Sequence, residues 1–66
     1  MSTAEYLKQK YRFDADAAVP IEFLAEETHL TLQELKPIIR RHINKKHCPG
    51  NIRFDAFTKI CTDLIA

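Results

Sequence analysis

Glycine is nearly missing from this chain: one residue, Gly50, among 66. Sheet proteins turn often and place glycine at many of those turns, so the count argues for helices. Cysteine is scarce as well. Cys48 and Cys61 are too few and too far apart for a disulfide scaffold or a CxxC redox pair, and a reduced, cytoplasmic setting is the natural reading. No apolar run approaches the roughly 18 residues of a membrane-spanning helix. The opening MSTAEYLKQKY has no apolar core of the kind a signal peptide carries. Low-complexity segments and internal repeats are missing too.

What is present is a chain of single-domain size, 1–66, with an ordinary apolar share of 45%. A domain this small buries only about 60% of the surface its unfolded chain exposes, so modest stability is expected. The formal net charge is only +1, but it is unevenly placed. Residues 1–35 set three bases against seven acids. Residues 36–53 hold Lys36, Arg40, Arg41, Lys45, Lys46 and Arg53 with no acid among them. Residues 54–66 set Lys59 against Asp55 and Asp63. One basic block in a near-neutral chain is the distribution a phosphate-binding footprint has, although most charge runs are solvated helix faces.

The elements follow from caps and periodicity. Ser2 and Glu5 have the spacing of a capping box, with Met1 and Tyr6 placed for a hydrophobic staple. A first helix is expected from about residue 3 to Tyr11, with Tyr6, Leu7 and Tyr11 as its apolar edge. The segment DADAA, residues 14–18, reads as a connector. Pro20 suits the first position of a second helix over 20–28, with Ile21, Leu24 and Ala25 inward and Glu22, Glu26 and Glu27 outward. Thr31 and Glu34 form another capping box, which starts a third helix at Leu32. Leu35, Ile38, Ile39 and Ile43 fall on one stripe of that helix. The opposite face collects Gln33, Lys36, Pro37, Arg40, Arg41 and Asn44. Pro37 removes one backbone bond and predicts a kink, or a split into a short turn and a later helix. Pro49-Gly50 suits the centre of a type II turn, which would pair residues 46–48 with 52–54 as a very short hairpin. Asp55 then caps a last helix, 56–65, whose stripe is Phe57, Ile60, Cys61, Leu64 and Ile65. The fold class expected is all-α or mainly α: a compact bundle of about four short helices, with a minimal hairpin wing around residues 46–54.

The second and third helices carry most features of a helix-turn-helix. Ala25 is the small residue where the helices cross. His29 stands where the turn needs positive φ; glycine is usual there, and histidine is enriched among the exceptions. Leu30 plugs the angle, Thr31 caps, and Leu35 and Ile38 follow at the core positions. The order helix, helix-turn-helix, short hairpin, final helix resembles small excisionase-like and MerR-type winged-helix regulators of phage and mobile elements. Tyr6-Leu7, Tyr11, Val19-Pro20-Ile21-Glu22, Leu30-Thr31 and the terminal helix look like the pyocin-activator proteins of phage-derived loci. The resemblance implies a small sequence-specific DNA-binding protein, a transcriptional regulator or a recombination directionality factor. Its third helix would enter the major groove of double-stranded DNA, and its wing, shorter here than those families show, would touch backbone or minor groove. By position, Gln33, Lys36 and Arg40 would face base edges or groove walls, where Gln suits adenine and Arg suits guanine. Arg41, Lys45, Lys46 and Arg53 would neutralise phosphates, with Asn44 on the same face. A module this small implies a homodimer or tandem binding.

Other chemistries have less in the sequence to stand on. His42, His47, Cys48 and Cys61 match no common zinc spacing, and His42 falls on the apolar stripe of its helix, so a packed histidine is expected there rather than a ligand. Cys61 reads as core. No spacing assembles a nucleophile, a base and an orienting group, so no enzyme, cofactor or metal is expected. The rival reading is a protein-interaction module: an adaptor, or an inhibitor docking on a host protein, whose bases meet an acidic partner. An exposed cluster of Phe13, Phe23 and Leu32 would favour it.

Overall fold

Capping sets where the chain becomes helical. In the computed structural model, which describes residues 2–65, the Ser2 hydroxyl accepts the Glu5 N–H at 3.2 Å and opens α1, Thr3–Tyr11. Met1, half of the expected staple, lies outside the described residues. The remaining elements are β1 (Ala18–Pro20), α2 (Glu22–Thr28), α3 (Leu32–Ile43), β2 (Asn51–Arg53) and α4 (Phe54–Ile65). The fold is mainly α, as the near-absence of glycine suggested. Three helices end on a left-handed residue that is not glycine: Arg12 (φ 56°), His29 (φ 60°) and Asn44 (φ 56°).

The last helix is the centre of the core. Phe54, Phe57, Ile60 and Cys61 are all but inaccessible, and Leu7, Leu24, Leu35 and Ile39 close on them from the other three helices. Burial pushes the Cys61 thiol up to about 12, so it stays a neutral, inert filler. Tyr11 packs edge-on to Phe57 and stacks on Phe23 and Phe13, with ring centroids 5.6–5.7 Å apart. The α4 stripe outruns the core it was expected to cover. Leu64 is 37% and Ile65 48% exposed, each bordering an open surface groove, Leu64 with Ile38 and His42 of α3 and Ile65 with Thr3 and Tyr6 of α1.

The strand pairing differs from the expected hairpin. Residues 51–53 do form a strand, but its antiparallel partner is Ala18–Pro20, in the register Ala18↔Arg53, Val19↔Ile52, Pro20↔Asn51. Residues 46–48 form no strand, and Gly50 does not take the positive φ of a type II turn. The cause is local. Asn44 turns the chain sharply at the end of α3, and Val19 offers Ile52 a buried apolar partner that Lys46 and His47 cannot. Pro20 accordingly belongs to β1 rather than to the first turn of α2. The Ile21 N–H bonds the Gly50 carbonyl (3.1 Å) and the Phe54 N–H bonds the Ala17 carbonyl (2.9 Å). By alternation the Pro20–Asn51 pair is a non-hydrogen-bonded one, so the missing proline N–H costs the ladder nothing. Helix α4 also starts at Phe54, earlier than expected; Asp55 sits in its first turn and accepts the Ala56 N–H at 2.7 Å.

Glu27 was expected to face solvent and instead turns inward, with its side chain only 10% exposed. Lys10 Nζ and the Tyr11 hydroxyl both donate to its Oε1, at 2.7 and 2.8 Å. Burial works to raise this carboxyl, but the bonds from Lys10 and Tyr11 outweigh it and hold Glu27 below the usual carboxylate range. Burial, with the bond to Glu27, pushes Tyr11 up to about 12. A carboxyl depressed in the folded state contributes stability that is full above its unfolded value and lost as pH falls through its folded one. Acid destabilisation should therefore set in below roughly pH 4.3, the ordinary glutamate value. In urea titrations repeated down the pH scale, Glu27→Gln should flatten that acid arm. An unchanged arm in the variant would remove Glu27 as its source.

Candidate nucleic-acid interface

The turn between α2 and α3 is three residues long and every one has a structural task. The His29 N–H bonds the Ala25 carbonyl at 2.9 Å and its backbone is left-handed, the geometry expected there. Leu30 is half-buried against the core, its N–H held by the Thr28 hydroxyl at 3.3 Å. The Thr31 hydroxyl accepts the Glu34 N–H at 3.2 Å, the N-cap half of the box, and donates to the Glu34 carboxylate at 3.1 Å, so that carboxylate takes the hydroxyl rather than the Thr31 N–H. Leu35 and Ile39 then lock α3 onto the core, with Ile38 and Ile43 half-buried beside them.

Pro37 neither splits nor ends α3, which runs unbroken from Leu32 to Ile43. Its ring points away from the core on the exposed face, and a helix anchored by two fully buried side chains tolerates the loss of one backbone bond. That face presents Gln33, Lys36, Pro37, Arg40, Arg41 and Asn44, all exposed, as the helical spacing required.

The end of the helix turns this face into a groove. Asn44 is left-handed (φ 56°, ψ 47°), and its N–H and that of Lys45 both bond the Arg40 carbonyl. The chain doubles back, and Lys45 and Lys46 come to stand beside Arg40 and Arg41. Together with Pro37 and Asn44 these four bases line an open, shallow groove of about 800 Å³. Among the described residues, Lys36, Arg40, Arg41, Lys45 and Lys46 make no ion pair. Part of this charge has a plain structural use, since bases in the last turn of a helix oppose its negative end, worth about 0.3–1 kcal/mol each. That accounts for Arg40 and Arg41 but not for Lys45 and Lys46, which lie past the helix end.

Not every expected residue joins the groove. Gln33 and Lys36 are exposed on the N-terminal half of the same helix, outside it. Arg53 stands apart on β2, 3.5 Å from Asp55, so its charge is partly offset. Lys45 links the two places, since it also lines a second, smaller groove with Arg53. His42 is not packed into the core as expected. It is exposed at the margin of the apolar stripe, with Nε2 3.3 Å from Asp63 of α4. Pro37, read from the sequence mainly as an obstacle to the helix, is a wall of the basic groove. Phe23 and Leu32 are half-buried against the core, and Phe13, 39% exposed, lies against the Tyr11 and Phe54 rings. Among the described residues no three His, Cys, Asp or Glu side chains gather as a metal site, and no helix is long and apolar enough to cross a membrane.

Compared with protein-family models, with curated proteins and with solved structures, the chain has no significant match in any of the three.

Proposed function

We propose that this is a small, non-catalytic, sequence-specific DNA-binding protein, a transcriptional regulator or recombination directionality factor, that lays α3 in the major groove. The observation that carries the reading is the uncompensated basic groove at the end of a helix whose whole outer face is polar and exposed. Gln33 and Lys36 lie on the half nearest the turn, where a recognition helix meets base edges. Arg40 borders both regions. Arg41, Lys45 and Lys46 supply phosphate contacts, and Arg53, already paired with Asp55, contributes less than the others. The basic groove of one copy is small, so two copies on half-sites about one helical turn apart are the expected arrangement.

The test is fluorescence anisotropy of a labelled random duplex across a salt series. With about five cations on phosphate per copy, the log–log slope of affinity against salt should be roughly −4 to −5. The rival reading, a module that docks an acidic protein partner, uses the same bases and the same core. It predicts no duplex binding even at low salt, and that result would overturn the DNA reading.

A further inference from the structure

We propose that the outer edge of β2 is a docking strip for an extended acidic segment of a partner protein, added to the sheet as a third strand. The sheet has two strands, so each has one edge without a strand neighbour. The alternation set by the bonds Ile21 to Gly50 and Phe54 to Ala17 aims the Asn51 N–H and carbonyl, and the Arg53 N–H, away from β1. On the outer edge of β1 the corresponding position is Pro20, which has no N–H and blunts that edge. The edge of β2 has no such block.

A groove of about 300 Å³ runs beside it, lined by all three residues of β2 and by none of β1. Ile43, Pro49, Ile52 and Ala56 make its walls apolar, and Lys45 and Arg53 carry its charge. Asp55, 3.5 Å from Arg53, offsets part of that charge, and among the described residues Lys45 has no acid partner. This combination fits a strand with an aliphatic side chain for the groove, acids on either side of it for Lys45 and Arg53, and its own backbone for Asn51. Two other occupants fit less well. A second copy pairing edge to edge would bring a strand with no acid in residues 43–53, and so no counter-charge for Lys45 and Arg53. A DNA backbone offers hydrogen-bond acceptors but no donor, so it would leave the Asn51 carbonyl unmet, whereas a peptide brings both. The proposal does not depend on the DNA reading.

The experiment titrates the whole isotope-labelled protein with a synthetic heptapeptide alternating glutamate and valine, and separately with the same peptide N-methylated at every residue. The second has the same charge but cannot complete a ladder. The first should bind saturably, move the Asn51 and Arg53 amide signals and slow hydrogen exchange at Asn51. N-methylation should weaken it by about tenfold, the equivalent of one or two hydrogen bonds. Asn51→Pro removes the outward N–H without touching the ladder, as Pro20 does opposite it, and should weaken binding to a similar degree. Arg53→Glu tests the charge should that proline variant fail to fold. Equal binding of the two peptides would overturn the proposal, as would signal changes confined to Arg40 and Arg41. Protection of Asn51 in a concentration-dependent dimer without peptide, or by duplex DNA in place of peptide, would overturn it too, in favour of those occupants.

Discussion

Replacing Arg40 and Arg41 together by glutamate is expected to abolish duplex binding at moderate salt while the fold persists. Both side chains are exposed and, among the described residues, neither is in an ion pair, so their loss leaves no buried charge stranded. Each charge-assisted contact to phosphate is worth about 1.5–3 kcal/mol, so removing two weakens binding by about a hundredfold or more. The new acids then repel the backbone, and the salt slope should fall by about two. The same change places acids at the negative end of α3, at a cost of about 1–2 kcal/mol. Arg40→Gln with Arg41→Gln removes the contacts without that reversal and serves as the control. Anisotropy, with circular dichroism of each variant, decides the matter. Duplex affinity within about threefold of the parent in the folded double glutamate variant would end the DNA reading.

The largest loss of stability is expected from Phe57→Ala. Phe57 is wholly buried, stacks on Phe54 with centroids 5.7 Å apart and meets Tyr11 edge-on at 5.7 Å. Truncating a buried phenylalanine costs about 3–5 kcal/mol. Folded domains are stable by about 0.05–0.15 kcal/mol per residue. For a 66-residue chain this one change therefore removes much of the total or all of it. Urea denaturation followed at the helical dichroism band should show a variant largely unfolded without denaturant. A loss below about 1 kcal/mol would mean that the site collapses around the vacancy, contrary to a core with Phe57 at its centre.

The helices were legible in the sequence wherever a short-range signal marks them. Ser2 with Glu5 and Thr31 with Glu34 announce two helix starts within four residues, and the Leu35–Ile39–Ile43 and Phe57–Ile60–Cys61 spacings give the buried faces. His29 took the left-handed turn for which its position marked it. What escaped depends on partners far along the chain. Nothing near Val19 names Ile52, and nothing near Glu27 names Lys10 and Tyr11. The polar face of α3 could be read from periodicity, because a helix fixes which residues share a side. The groove could not, because it depends on the reversal at Asn44 that brings Lys45 and Lys46 back beside Arg40. The partial neutralisation of Arg53 by Asp55 needed the strand-to-helix junction in place.

The pairing of β1 with β2 has a consequence for the order in which the molecule assembles. It joins residues 17–21 to residues 50–54 and so closes a loop that contains all of α2 and α3. Closing a loop of that length costs entropy before any strand contact rewards it, whereas the turn at His29 needs only near neighbours. The helix pair is therefore expected to form early and the sheet to close late, an order that the folding and unfolding rates of Val19→Ala and Ile52→Ala check. Interactions made after the rate-limiting step hold the native state against opening without hastening its formation. On that order Val19 and Ile52 are a latch: truncating either should speed unfolding and leave the folding rate nearly unchanged, and a slowed folding rate would overturn it.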